Sequence, residues 1–121
     1  MLFLNPNFMF IKNRHVTPDE IAPGVTRKIM GYQSDLMLIR VSFEGKTSFP
    51  IHSHPHQQIT HIIEGEFKAT IDGYSEILGP GDSYVVPGNI PHGVESLKSG
   101  ILIDVFSPRR DDFLNNESSY S

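Results

Sequence analysis

Four of the six histidines in this 121-residue chain fall within the stretch PIHSHPHQQITHIIEGE, which begins at Pro50. Two glutamines lie among them, so neutral nitrogen and amide-oxygen donors are concentrated in one strand-like segment. Cysteine is absent, and any metal must therefore be held by histidine, amide or carboxylate groups. Residues two apart on a strand share a face, which points His52 and His54 to one side and Ser53 to the other. A bend at Pro55 and His56 lets a new strand start near Gln58, and an antiparallel return then brings that side chain beside the imidazoles. Gln57 is the rival donor, with the opposite parity. His92 ends the turn-rich VVPGNIPH and is the fourth expected donor, delivered from a distant strand. Three imidazoles and one amide oxygen make a shell for a divalent cation with positions left open to water or substrate. His15, His56 and His61 are expected to be ordinary surface or core residues; by alternation His61 faces away from Gln58.

A second group of interest lies in ILIDVFSPRRDDF, near the C-terminus. Alternation places Leu102, Asp104 and Phe106 on one face. If that face is the interior, Asp104 is a carboxylate among apolar neighbours near a cation, a setting that tunes a proton-transfer group. Arg110, just beyond, could bind a substrate carboxylate through two parallel hydrogen bonds. Structural roles compete with these: Asp104 as a turn cap or the partner of an arginine, Arg109 and Arg110 as solvated charges.

Short segments rich in β-branched and aromatic residues must position these groups, because 9 prolines and 10 glycines punctuate the chain and leave little room for helix. The expected strands are 36–43, 48–54, 58–63, 66–71, 74–78, 83–86, 93–97 and 101–106, with turns at EGK, DG, GPGD, PGNIP and KSG. Eight short strands at near-regular spacing suggest an all-β jelly roll, whose closure protects strand edges. Residues 1–33 are expected to form an N-terminal arm or edge strand packed on the barrel, with GVTRKIMGY able to pair with a partner chain. Residues 34–114 form the barrel, and 115–121 a polar, disordered tail. The chain is long enough for one domain. Its balance of 10 basic and 14 acidic residues gives a charge of −4 and no basic field for nucleic acid. No apolar run is long enough to cross a bilayer. The opening MLFLNPNFMF lacks a basic leader and a cleavage site, so a cytoplasmic location is expected.

Both histidine segments resemble the two motifs of the cupin superfamily. The first motif runs from Gly45 through His52, His54 and Gln58 to Gly65, with one extra residue before the histidines. The second runs through Gly81, Pro87, Asn89, His92 and Ser96. Gln58 stands where a glutamate is usual, Asn89 where a turn glycine is usual, and Ser96 where an asparagine is usual; asparagine still tolerates a left-handed backbone. The likeness is closest to the pectin-degradation cupins of the KdgF family. It covers residues 24–114, and its specific parts are the glutamine and the run DVFSPRRDDF. That resemblance implies a single cupin jelly-roll barrel, a metal held by His52, His54, Gln58 and His92, and functional roles for Asp104, Phe106 and Arg110. It also implies a homodimer, and ring opening of 4,5-unsaturated uronates released by pectin or alginate lyases.

With an amide in place of a carboxylate all four donors are neutral, so the ion keeps its full charge. That favours polarising an oxygen and attracting an anionic sugar over oxygen-dependent redox chemistry. A non-redox, isomerising enzyme is therefore expected, its cofactor one divalent ion, whether nickel, zinc, iron, cobalt or manganese. The alternatives are another cupin enzyme, such as a sugar isomerase or iron dioxygenase, and a non-catalytic uronate sensor.

Overall fold

Short runs of alternating polarity separated by turn residues produce strands, and the computed structural model, which describes residues 9–115, contains ten of them. They are β1 (Asp19–Ala22), β2 (Val25–Gln33), β3 (Leu36–Phe43), β4 (Thr47–His52), β5 (Gln57–Glu64), β6 (Phe67–Ile71), β7 (Tyr74–Leu78), β8 (Ser83–Val86), β9 (His92–Ser96) and β10 (Gly100–Ser107). One helical turn, α1 (Asp111–Leu114), follows the last strand. Turn chemistry explains the connections. Between β6 and β7, Asp72 and Gly73 both take positive φ, 49° and 83°, as the tightest hairpin turns require.

The strands form two antiparallel sheets, ordered β1-β2-β3-β10-β5-β8 and β4-β9-β6-β7, in an all-β jelly-roll sandwich. Val25, Met37, Ile39, Val41, Phe43, Ile62, Phe67, Leu102 and Phe106 fill the space between them. Phe43 meets Phe67 edge to face at 5.1 Å and Phe49 at 5.9 Å, the arrangement aromatic quadrupoles prefer. No helix among the described residues is long and apolar enough to cross a membrane.

Three of the expected strands form with the expected ends, and the others shift by one or two residues. The informative shift is at β4, which stops at His52 and leaves His54 beyond it. Pro50 cannot donate a ladder hydrogen bond, and the register of β4 against β9 is irregular between Phe49 and His52. The GVTRKIMGY segment contains β2, paired with β3 of its own chain from Val25 to Gln33, with Val25 and Arg27 buried. Residues 1–8 and all but Asn115 of the expected tail lie outside the described residues.

Candidate metal centre

β4 and β9 are neighbours, and their register sets His52 directly opposite His92, with ring centroids 4.5 Å apart. His54 approaches from the segment beyond β4, its ring 4.7 Å from His92 and 5.8 Å from His52. The Pro87–Pro91 turn holds the two segments together, for the Asn89 amide donates to the His54 carbonyl at 2.7 Å. Asn89 does so with φ at 66°, the left-handed conformation in which glycine is usual. Gly88 must lack a side chain, since a Cβ there would sit 2.5 Å from the Pro55 carbonyl oxygen.

Each imidazole is oriented by the backbone two residues away. Nδ1 of His52, His54 and His92 donates to the carbonyls of Pro50, His56 and Ile90 at 2.9, 3.0 and 2.8 Å. A carbonyl only accepts, so the proton of each neutral ring belongs on Nδ1 and the lone pair on Nε2. Burial, then the charge of Arg110, then His92 push His54 down to about 4. His92 is lowered chiefly by burial as well. His54 and His92 are thus neutral at pH 7, the form that binds metals. One ring nitrogen from each of the three lies within 4.8 Å of the other two. The Nε2 atoms of His52 and His92 are buried without a hydrogen-bond partner.

Gln58 completes the arrangement from β5, whose inward face carries Gln58, Thr60 and Ile62 while Gln57 faces solvent. Gln58 Nε2 donates to Thr60 Oγ1 at 3.0 Å and to Asp104 Oδ1 at 3.3 Å. Its Oε1 therefore points to the imidazoles and lies 3.1 Å from His54 Nε2. With the His54 proton on Nδ1, two lone pairs face one another there, a contact that a shared cation turns from repulsive to favourable. The orphaned nitrogens and this acceptor pair fit a divalent cation.

The expected catalytic residues lie nearby. Asp104 and Phe106 face the interior from β10 and are fully buried. Thr60 donates to Asp104 Oδ1, the same oxygen that Gln58 reaches. The Phe106 ring packs edge-on against His54 at 5.8 Å and against Phe113 at 5.7 Å. Arg110 is not a solvated charge, for it is only 5% exposed. Its guanidinium lies over the rings of Phe113 and Phe106, at 4.3 and 5.1 Å. Its Nε and Nη2 hold Asp112 through a two-point contact of 3.0 and 2.7 Å. Burial raises the Asp112 carboxyl, yet the Arg110 hydrogen bonds and charge outweigh it and hold the group below its ordinary value.

Away from the cluster, His15 and His61 are exposed, and His61 Nδ1 contacts Ser83 Oγ at 2.7 Å on the outer surface. His56 is half-buried, its ring 5.5 Å from that of His54. Buried Ser96 accepts from the Thr47 amide at 2.8 Å and donates to the Gly45 carbonyl at 2.9 Å, tying β4 to β9 away from the imidazole cluster. Sequence reasoning overlooked Thr60, Tyr84 and Asp112. Alternation from Gln58 places Thr60 next on the inward face, and a polar residue there was the available signal. Two shallow depressions, lined in part by Lys68, lie on the outer face of the small sheet, apart from the imidazoles.

Residues 39–106 match the cupin domain family. This chain belongs to the cupin family. Among curated cupin relatives, it is 43% identical over 99 residues to the pectin degradation protein KdgF of Dickeya dadantii (strain 3937), covering 79% of this chain and 89% of that protein. The structure of KdgF from a Halomonas species superposes with a TM-score of 0.83 at 36% identity, over 86% of this chain and 96% of that one. An RmlC-like cupin from Shewanella frigidimarina gives 0.81 at 36% identity, over 86% and 94%. In this cupin the three histidines could hold a metal ion.

Proposed function

We propose that this cupin acts in pectin degradation as a metal-dependent enzyme that opens the ring of 4,5-unsaturated uronates from pectin or alginate lyase action. The likeness to KdgF supports the pathway. The convergence of three imidazole nitrogens with the Gln58 carbonyl oxygen is the observation that carries the reading. His52, His54, His92 and Gln58 are the proposed ligands, and the ion they hold supplies positive charge that polarises a substrate oxygen.

The cyclic substrate is an enol ether and a hemiacetal at once. Breaking its bond between the anomeric carbon and the ring oxygen releases an aldehyde and an enol, and the enol becomes a ketone by taking a proton on carbon. The net change is an isomerisation, so only protons need carriers. Asp104 is the proposed carrier, held in place by Thr60 and Gln58. Arg110 is the proposed anchor for the sugar carboxylate. The edge it would use already grips Asp112, so capture through that edge exchanges one carboxylate for another. Phe106 steadies His54 and closes the floor of the site. A cytoplasmic homodimer is proposed with it. Leu38, Val105, Ile59 and Val85 are aligned in register across the large sheet with their side chains outward, an apolar row a second copy would cover. Light scattering of the purified protein at twice the chain mass is the result expected.

Proton NMR of an unsaturated uronate tests the activity. The vinylic signal should vanish faster with metal-loaded protein than spontaneously, and slow again on chelation. Unchanged ligand that binds and is released intact would replace the enzyme with a sensor, and consumption of oxygen would replace it with an oxygenase. Within the active protein, Asp104→Asn should mainly lower kcat and Arg110→Ala should mainly raise KM.

A further inference from the structure

An amide has two ends of nearly equal shape and opposite polarity, and only its oxygen serves a cation. The imidazole cluster by itself favours the wrong end. A Gln58 amino group turned toward His54 Nε2 would donate to a lone pair, whereas the observed oxygen meets that lone pair at 3.1 Å. Whatever holds the oxygen forward must act from behind, where Gln58 Nε2 meets Thr60 Oγ1 and Asp104 Oδ1.

Thr60 is fully buried and registered opposite Asp104 on β10 and opposite Tyr84 on β8. Its hydroxyl has one proton and two lone pairs. The proton goes to Asp104 Oδ1, and one lone pair takes the Gln58 amino group. Its only proton and one lone pair are thereby assigned. Thr60 presents an acceptor to Gln58 because its proton is committed to Asp104.

We propose that Thr60 is a positioning residue for the metal centre, its hydroxyl polarised by Asp104 so that the Gln58 carbonyl oxygen faces the imidazoles. A turned amide would set its oxygen against Asp104 Oδ1 and take the Thr60 proton from that carboxylate, so both contacts oppose the turn. Thr60 thus acts through Gln58, which it meets as its neighbour on the inward face of β5. The inference rests on the reading of Gln58 as a ligand, which its test must keep separate.

Thr60→Val removes the hydroxyl at constant shape, and Thr60→Ser keeps it with one methyl fewer. Cobalt(II) affinity, from competition with a coloured chelator, and the cobalt visible spectrum report the ligand set without reference to turnover. Thr60→Val should bind cobalt about 10–100-fold more weakly, the usual cost of an outer-shell partner, with a spectrum shifted toward that of Gln58→Ala. Thr60→Ser should stay within about threefold of the parent. Thr60→Ala should move in the same direction as valine, and it carries the test if the valine variant does not fold. Parental affinity and spectrum in Thr60→Val, or in Thr60→Ala where that replaces it, would overturn the inference. So would a serine variant as weak as valine, which would assign the effect to volume. If Gln58→Ala itself keeps parental affinity and spectrum, the ligand reading of Gln58 fails first.

Discussion

Two ends of the same interior are built on the same strands and filled in opposite ways. Between β5 and β10 the inward pairs run Ile62 with Leu102, Thr60 with Asp104, and Gln58 with Phe106. At the Ile62 end, Val41 and the edge-to-face phenylalanines Phe43 and Phe67 close an apolar core whose stability follows buried area, about 25 cal/mol per Å². One or two residues along, Thr60, Asp104 and Gln58 are polar and buried, and burial of such groups costs free energy unless each finds its partner. The pleat treats both ends alike; partners, not backbone, make the second end possible. The apolar end should therefore tolerate change in proportion to volume, and the polar end should fail as a unit.

Loss of one imidazole is the largest break expected. His92→Ala removes the ring opposite His52, and the protein should then retain no stoichiometric metal after dialysis, with ring opening reduced to the spontaneous rate. Leu102→Ala tests the other end. It should cost about 2–5 kcal/mol in denaturant unfolding, yet the folded fraction should bind metal as the parent does. If the leucine variant lost metal affinity as steeply as the histidine variant, the two ends would be one mechanical unit and the division drawn here would fail.

How far sequence revealed each end follows from the same contrast. The strands, the jelly roll and the inward face of β10 were legible because alternation and turn residues are local signals, as in DG between β6 and β7. His52 and His54 were expected to share a face by strand parity and His92 to be delivered by the turn before it, but the structure brings them together differently. His52 is aligned by cross-strand register with His92, and His54 stands past the end of β4, where parity no longer applies. Thr60 escaped notice because one hydroxyl in a β-rich segment looks like any other until a carboxylate from 44 residues away is seen beside it. Arg110 was expected either to bind a substrate carboxylate or to be a solvated charge. Its partner two residues on, Asp112, and the flanking rings of Phe106 and Phe113 keep it out of solvent.

Acid should separate the ends by a smaller amount. His54 has a folded-state pKa of about 4 against 6.5 for the free side chain, so between those values the unfolded chain binds the additional proton. Stability of the metal-free protein is then complete above about pH 6.5 and lost as the pH falls toward 4. Urea unfolding of that protein should give a stability about 2 kcal/mol lower at pH 5 than at pH 7, with His92 adding in the same direction. Leu102→Ala should shift both values and leave their difference intact, since the leucine carries no proton. A flat profile would mean that the imidazoles are not held neutral by burial.

The smallest effect concerns two arginine–aspartate pairs in one run of four residues. Arg109 meets Asp111 at 2.8 Å with the aspartate 71% exposed, whereas Arg110 meets Asp112 at 2.7 Å with the arginine only 5% exposed. Bond lengths this similar would suggest equal worth if distance alone counted. Water screens the first pair, and holding two flexible side chains together offsets most of its attraction, so Asp111→Asn should change stability by no more than about 0.5 kcal/mol. In the second pair the guanidinium is already out of water between two aromatic rings, and an amide at 112 would remove the carboxylate charge that it holds at two points. Asp112→Asn should therefore cost clearly more than Asp111→Asn in the same unfolding measurement. Equal, negligible costs would place Arg110 in solvent like its neighbour, and would remove it from the buried polar end to which its packing assigns it.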